Sequence, residues 1–85
     1  MIWRFDALRF GITCKVKRQM LELNTREMAE LSGLSQPTIS RYERAEKIGD
    51  LELETILRIC TALDIDPRQF FSQSREKTAG DYEQE

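Results

Sequence analysis

The chain has 85 residues, 40% hydrophobic and 33% charged, which predicts one small globular domain. No apolar run approaches the roughly 20 residues of a membrane helix, and charges interrupt the N-terminal segment, so we expect a cytoplasmic protein without membrane association. The sequence has no histidine and only two widely spaced cysteines, Cys14 and Cys60. These counts argue against an enzyme, a metal site or a cofactor, and favour two small buried thiols.

The formal net charge of −2 is unevenly distributed along the chain. Residues 74–85 hold four acids and two bases, whereas residues 1–18 hold five bases and one acid. Affinity for phosphate depends on a basic face more than on net charge. The charge balance therefore neither supports nor excludes a nucleic-acid partner.

A first helix is predicted over residues 7–22, with Asp6 as its cap. Gly11 lowers helix stability by about 1 kcal/mol relative to alanine, so a start after Gly11 remains an alternative. Residues 2–5 form either an extended arm or a first helical turn. The helical period rests on residues spaced four apart, with three further apolar residues nearby: Leu8, Ile12, Val16 and Met20, then Phe10, Cys14 and Leu21.

A second helix is predicted to begin after Asn24. Asn24 and Glu27 have the spacing of a capping box, with asparagine in place of the usual serine or threonine. Met28 and Ala29 are predicted to point inward. Gly33 ends the helix, because glycine reaches the left-handed conformation without steric cost.

A third helix is predicted to follow directly, over residues 35–44. Ser35 is its N-cap, and Pro37 lies in the first turn, where its missing N–H has no helical partner to lose. Ile39 and Tyr42, three residues apart, are predicted to face the core.

A loop over residues 45–50 is predicted to lead to a fourth helix, from about Leu51 or Leu53 to Leu63. Asp66 and Pro67 then indicate a last short helix through about Ser72. We expect the acidic residues 73–85 to be disordered. The buried stripe predicted for the fourth helix consists of Leu53, Ile56, Cys60 and Leu63, with Ile59 beside them.

Two short helices joined by a few residues with a glycine are typical of the helix-turn-helix motif. LNTREMAELSGLSQPTISRYERAEK resembles the Cro/lambda-repressor-like (XRE-type) helix-turn-helix family, and the resemblance extends over roughly residues 10–71. Ala45 departs from the family's usual glycine, and the following loop lacks its frequent Ser-Pro. The matching positions are Leu23, Asn24, Glu27, Met28, Ala29, Gly33, Leu34, Ser35, Ile39, Ser40, Tyr42 and Glu43.

The resemblance implies an all-α fold, a compact bundle of four to five short helices with a central helix-turn-helix. It also implies binding to operator DNA, usually as a homodimer. The expected organisation is an N-terminal arm over residues 1–9, a DNA-binding domain over residues 10–72 and an acidic tail over residues 73–85.

The resemblance places the third helix in the major groove of DNA, where the N-terminal end of such a helix meets base edges. The expected base contacts are Gln36, Pro37, Ser40 and Arg41. The expected phosphate contacts are Thr25, Thr38, Arg44 and Lys47. The family often joins an arginine of the first helix to a glutamate ending the third, here Arg18 and Glu43. The alternative interpretation of all these residues is ordinary solvated surface or, for Thr25, helix-start chemistry alone.

The sequence therefore predicts a homodimeric transcriptional regulator, repressor-like, that binds a palindromic double-stranded operator. Trp3, Phe5, Phe70 and Phe71 are many aromatic residues for a small core, so some cover a dimer interface or pack the ends of the core. One alternative is an antitoxin, which binds a partner protein as well as DNA. Another is a protein-interaction module that has lost DNA binding.

Overall fold

The computed structural model describes residues 2–46 and 52–74, and it shows a helical bundle with one small sheet. The all-α fold with a central helix-turn-helix is confirmed. In chain order the elements are strand β1 (Ile2–Phe5), helices α1 (Ala7–Met20), α2 (Thr25–Ser32), α3 (Gln36–Arg44) and α4 (Leu53–Leu63), a 3₁₀ turn (Pro67–Phe70) and strand β2 (Phe71–Ser74).

Side chains cap the helix starts where the sequence predicted. The carboxylate of Asp6 accepts a hydrogen bond from the backbone N–H of Arg9 at 3.0 Å. Asn24 and Glu27 form a complete capping box, in which each side chain accepts from the other residue's backbone N–H. Gly33 ends α2 with a φ of 77°, in the left-handed region that favours glycine. These local signals set where α1 begins and where α2 begins and ends.

Gly11 lies inside α1, so the alternative start after this residue is wrong. An added Cβ at Gly11 would lie 2.5 Å from the carbonyl oxygen of Tyr42 and 2.6 Å from that of Glu43. Only glycine therefore allows the backbone of α1 to approach the last turn of α3 so closely. The cost in helix propensity at this position is offset by tertiary contact.

The stripe from which α1 was predicted is exposed. Leu8 (64% exposed), Ile12 (55%), Val16 (49%) and Met20 (72%) face away from the core. The buried residues of α1 are instead Phe10, Gly11, Cys14 and Arg18. The four-residue period predicted the helix correctly but did not identify its buried face, because α1 carries apolar side chains on both sides.

The core lies between the helices and ends in a cluster of aromatic rings. Phe10 is fully buried, and its ring centroid lies 5.3 Å from that of Phe5 and 5.1 Å from that of Phe70. The other members of the core are Cys14, Met28, Ala29, Ile39, Tyr42, Ile56, Ile59, Cys60 and Leu63. Met28, Ala29, Ile39 and Tyr42 are thus buried as predicted.

Both cysteines are free and buried, which confirms the prediction of two buried thiols. Burial raises the pKa of Cys60 to about 11 and also raises the pKa of Cys14. In α4 the predicted stripe is wrong at one position, since Leu53 is exposed. Leu53 is the first residue of the helix, and the core begins one turn further on, at Thr55 and Ile56.

The two strands were not predicted as a sheet. β1 and β2 pair antiparallel, with Ile2 opposite Ser74 and Phe5 opposite Phe71. Residues 2–5 are therefore extended, and the last helical turn ends at Phe70 rather than near Ser72. The helical turn ends early because Phe71 pairs with Phe5 in the sheet. The rings of these two residues lie 4.9 Å apart.

Most of the loop predicted over residues 45–50 lies outside the described residues. Residues 75–85 of the tail predicted to be disordered also lie outside them. The predicted boundaries between arm, domain and tail, after residues 9 and 72, remain predictions. Helix α1 extends across the first boundary and strand β2 across the second. None of the helices in the described part of the chain has the length and apolar character needed to cross a bilayer.

Candidate nucleic-acid interface

The outward face of α3 brings together the residues expected to contact bases. Gln36, Pro37 and Arg41 are exposed and Ser40 is half-buried. At about 100° per residue these four side chains lie within about 140° of the helix circumference. Ile39 and Tyr42 occupy the opposite side and are buried. The helix therefore presents one continuous polar face while its other face is held in the core.

A hydrogen bond links the starts of the two helices of the motif. The hydroxyl of Thr25, the first residue of α2, donates to Oε1 of Gln36, the first residue of α3, at 3.3 Å. In this orientation the amide nitrogen of Gln36 has no partner among the described residues, and both its N–H groups remain available to a base edge. An expected phosphate contact and an expected base contact thus lie side by side.

Two further expected phosphate contacts are already engaged within the protein. The hydroxyl of Thr38 lies 2.8 Å from that of Ser35, the cap of α3. Arg44 forms an exposed ion pair with Glu46, with Nη2 and Oε1 3.1 Å apart. A phosphate contact by Arg44 would therefore replace this pair. Lys47, the last of the expected contacts, lies outside the described residues.

Arg18 and Glu43 form a nearly buried ion pair, with side chains 10% and 8% exposed. Nε of Arg18 donates to one carboxylate oxygen of Glu43 at 2.7 Å, and Nη2 donates to the other at 3.1 Å. Nη1 donates to the carbonyl oxygen of Leu23 at 2.7 Å. The hydrogen bond to Glu43 raises the pKa of Arg18. One guanidinium therefore ties α1 to the last turn of α3 and to the residue preceding the cap of α2.

Two contacts that hold α3 were missed by the sequence analysis. The first is the close approach at Gly11. The second is the hydroxyl of Tyr42, which accepts a hydrogen bond from the backbone N–H of Glu52 at 3.4 Å, just before α4. The only signal for the first was a glycine inside an apolar helical pattern. The second joins residues ten positions apart across a loop, and no local pattern indicates it.

The described residues contain no group of three or more Cys, Asp or Glu side chains placed to hold a metal ion. With raised pKa values, both buried thiols are protonated at neutral pH. The outward face of α3 carries amide and guanidinium groups, which suit recognition by hydrogen bonding.

Comparison with known proteins identifies a family and a similar solved structure. Residues 16–74 match the Cro/C1-type HTH DNA-binding domain family. Among solved structures, the chain is similar to a high-resolution crystal structure of the restriction-modification controller protein C.AhdI from Aeromonas hydrophila. The two are 34% identical with a TM-score of 0.65, over 76% of this chain and 96% of that chain. No curated protein matches the sequence.

Proposed function

The chain belongs to the family of Cro/C1-type helix-turn-helix DNA-binding domains, and on that premise we propose that it is a homodimeric regulator that reads a palindromic operator through α3. The resemblance inferred from the sequence is confirmed, and with it the interpretation as a DNA-binding transcription regulator, a family whose members are generally not enzymes. The observation that carries the finer proposal is the outward face of α3, which presents the polar side chains of Gln36, Ser40 and Arg41.

Each residue of this face has a role in the proposed complex. The amide of Gln36 and the guanidinium of Arg41 make bidentate contacts with base edges, and Pro37 and Ser40 lie between them in the groove. Thr25 contacts phosphate at the start of α2, where backbone N–H groups also favour an anion. Thr38, Arg44 and Lys47 contact the flanking phosphates, which position the protein without reading sequence.

We assign the regulator to the restriction-modification controller type. The support is the similarity to C.AhdI, whose solved chain is covered over 96% of its length at 34% identity.

The proposed dimer surface is an apolar groove of about 510 Å³ between the sheet and α4, lined by Trp3, Leu53, Leu57, Pro67, Arg68 and Phe71. Trp3 is 65% exposed, and the two leucines are also exposed. Charges near the groove occur as pairs of opposite sign, Arg58 with Glu54 and Arg68 with Asp66. These two pairs therefore bring no excess of like charge to a second copy. Two-fold pairing is needed to place two recognition helices about 34 Å apart on one face of the duplex.

Selection of bound sequences from a random DNA pool tests the proposal directly. We expect two inverted half-sites about one helical turn apart. The variant Arg41→Ala is titrated against the selected site and its single-base variants. It should bind the selected site more weakly and lose the preference for one base pair of each half-site. A good bidentate contact contributes about 1–3 kcal/mol of such discrimination.

Arg44→Ala is the matched control for Arg41→Ala, since both remove an exposed arginine of α3. It should weaken binding to all DNA sequences about equally. The slope of log affinity against log salt concentration should fall by about one unit for each phosphate that the variant no longer neutralises. Full base preference in Arg41→Ala, with loss of preference in Arg44→Ala, would contradict the proposed docking.

The dimer is tested separately by sedimentation of the protein on saturating operator DNA. Leu57→Glu places a charge in the groove and should give a monomer, whereas Ile12→Glu, on the outward face of α1, should leave the dimer intact. One monomer per operator for the unaltered protein would refute the dimer.

A further inference from the structure

The outward face of α1 is an apolar stripe that nothing in the described part of the chain covers. Leu8, Ile12, Val16 and Met20 recur every four residues and are each about half exposed or more. The stripe extends for about 18 Å at 1.5 Å per residue. Exposed apolar patches of several hundred Å² are uncommon on monomers and mark interaction sites.

The charges along this stripe are of one sign. α1 contains no acidic residue, and its inward base, Arg18, is already paired with Glu43. Lys15 and Lys17 flank Val16 on either side and have no ion-pair partner among the described residues. Within the described residues, the stripe is therefore bordered by two lysines without an ion-pair partner, whereas Arg58 and Arg68 near the groove beside α4 are paired with acids.

This charge pattern discriminates between possible occupants. A second copy would bring the same lysines against the first, and like charges placed together across an interface disfavour that pairing. A membrane is disfavoured because an interfacial helix inserts its apolar face into the lipid, whereas Phe10 and Cys14 of α1 are buried in the core. An apolar helix bordered by acids satisfies both the stripe and the lysines.

We propose that the outward face of α1 binds a helix of a different protein, whose apolar stripe is bordered by aspartate or glutamate. Its apolar residues would pack along Leu8, Ile12, Val16 and Met20 with helical spacing. Gly11, which faces α3, lies on the other side of α1. The partner therefore leaves the outward face of α3 free, and the protein can hold it while bound to DNA. This proposal does not depend on the proposed regulator type.

The test uses two synthetic helical peptides and the full chain. Both peptides carry leucine every four residues; one has glutamates beside the stripe, and the other has lysines at the same positions. We expect the glutamate peptide to bind in fluorescence anisotropy and the lysine peptide to bind at least tenfold more weakly. Ile12→Ser and Val16→Ser together should weaken the glutamate peptide at least tenfold. Leu31→Ser, which alters an exposed leucine on α2, should leave its binding unchanged.

A charge reversal sharpens the test. Lys15→Glu and Lys17→Glu together should make the lysine peptide the tighter ligand. The altered residues are exposed or half-buried, and circular dichroism of each variant verifies that the bundle is folded. Equal binding of the two peptides, binding of neither, or a loss caused by Leu31→Ser alone would overturn the proposal. The proposal would also be overturned if the protein self-associates and Val16→Ser abolishes that association, because the stripe would then bind a second copy. Tighter binding to phosphatidylglycerol vesicles than to the glutamate peptide would assign it to a membrane.

Discussion

The inward and outward faces of α1 both carry large apolar side chains, yet they lie in opposite environments. The inward face contains Phe10 and Cys14 together with a glycine and an arginine, and it is buried. The outward face is a regular aliphatic stripe, and it is exposed. Burial thus follows the shape and chemistry of the contacting surface more closely than the number of apolar residues on a face.

The glycine and the arginine make the inward face specific. Gly11 lets the backbone of α1 touch the backbone of α3, and Arg18 satisfies its guanidinium through Glu43 and Leu23. Burying Phe10 adds about 1.5–3 kcal/mol of hydrophobic stabilisation. Rotating α1 to bury its outward stripe would lose the ion pair and bring side chains against the α3 backbone. The difference between the two faces therefore depends on Gly11 and on the ion pair of Arg18, and both can be tested.

The largest expected effect comes from Glu43→Ala. This change leaves the nearly buried guanidinium of Arg18 without its carboxylate, and breaking a buried pair from one side costs on the order of 3–5 kcal/mol. Urea unfolding measures the loss in the free energy of unfolding. It should come with weaker operator binding, because the last turn of α3 is no longer held.

Glu46→Ala is the matched control, because it removes the carboxylate partner of an exposed arginine, Arg44. An exposed pair contributes roughly 0–1 kcal/mol. If Glu43→Ala costs less than about 1 kcal/mol, like the control, the ion pair does not fix the inward face.

Gly11→Ala has the next largest expected effect, and its sign is informative. In an open helix, alanine is favoured over glycine by about 1 kcal/mol. Here the added Cβ would meet the carbonyl oxygens of Tyr42 and Glu43, so we expect a destabilisation of about 1–3 kcal/mol. Thermal and urea unfolding of the variant measure the change. A stabilised Gly11→Ala protein would show that the two backbones are not in close contact.

Features of the fold could be predicted from the sequence where they depend on residues close together in the chain. The caps at Asp6, Asn24 and Ser35 and the turn at Gly33 were predicted correctly, because each involves residues at most three or four apart. The buried face of α1, the exposure of Leu53 and the sheet depend on partners distant in the chain. The pairing of Phe5 with Phe71 joins the two ends of the described chain, and no local period indicates it.

The candidate interface shows the same division. The outward face of α3 could be predicted, since Ile39 and Tyr42 mark its inward side at helical spacing. The resemblance supplied the pair of Arg18 with Glu43. The bond from Thr25 to Gln36 and the contact of Tyr42 with Glu52 required the packed structure, because they depend on how two helices meet. The DNA contacts themselves remain predictions.

The smallest expected change in stability comes from Ile12→Cys, which compares the two faces at positions two residues apart. Ile12 is more than half exposed, and surface substitutions usually change stability by no more than about 0.5 kcal/mol. The new thiol should react with a disulfide reagent at the rate of an open cysteine, faster as pH approaches the usual pKa of about 8.5.

Cys14 provides the internal comparison for Ile12→Cys. Burial raises the pKa of Cys14 and Cys60, so less thiolate forms at any given pH, and the thiols are also inaccessible. In the folded protein both should therefore resist labelling through neutral pH and react only when urea unfolds the chain. The variant should thus show one fast thiol and two protected ones, while the unaltered protein shows two protected thiols. Labelling of Cys14 as fast as the thiol at position 12 would mean that α1 does not hold its inward face against the core. The same protein would then have no fixed outward stripe to offer a partner helix.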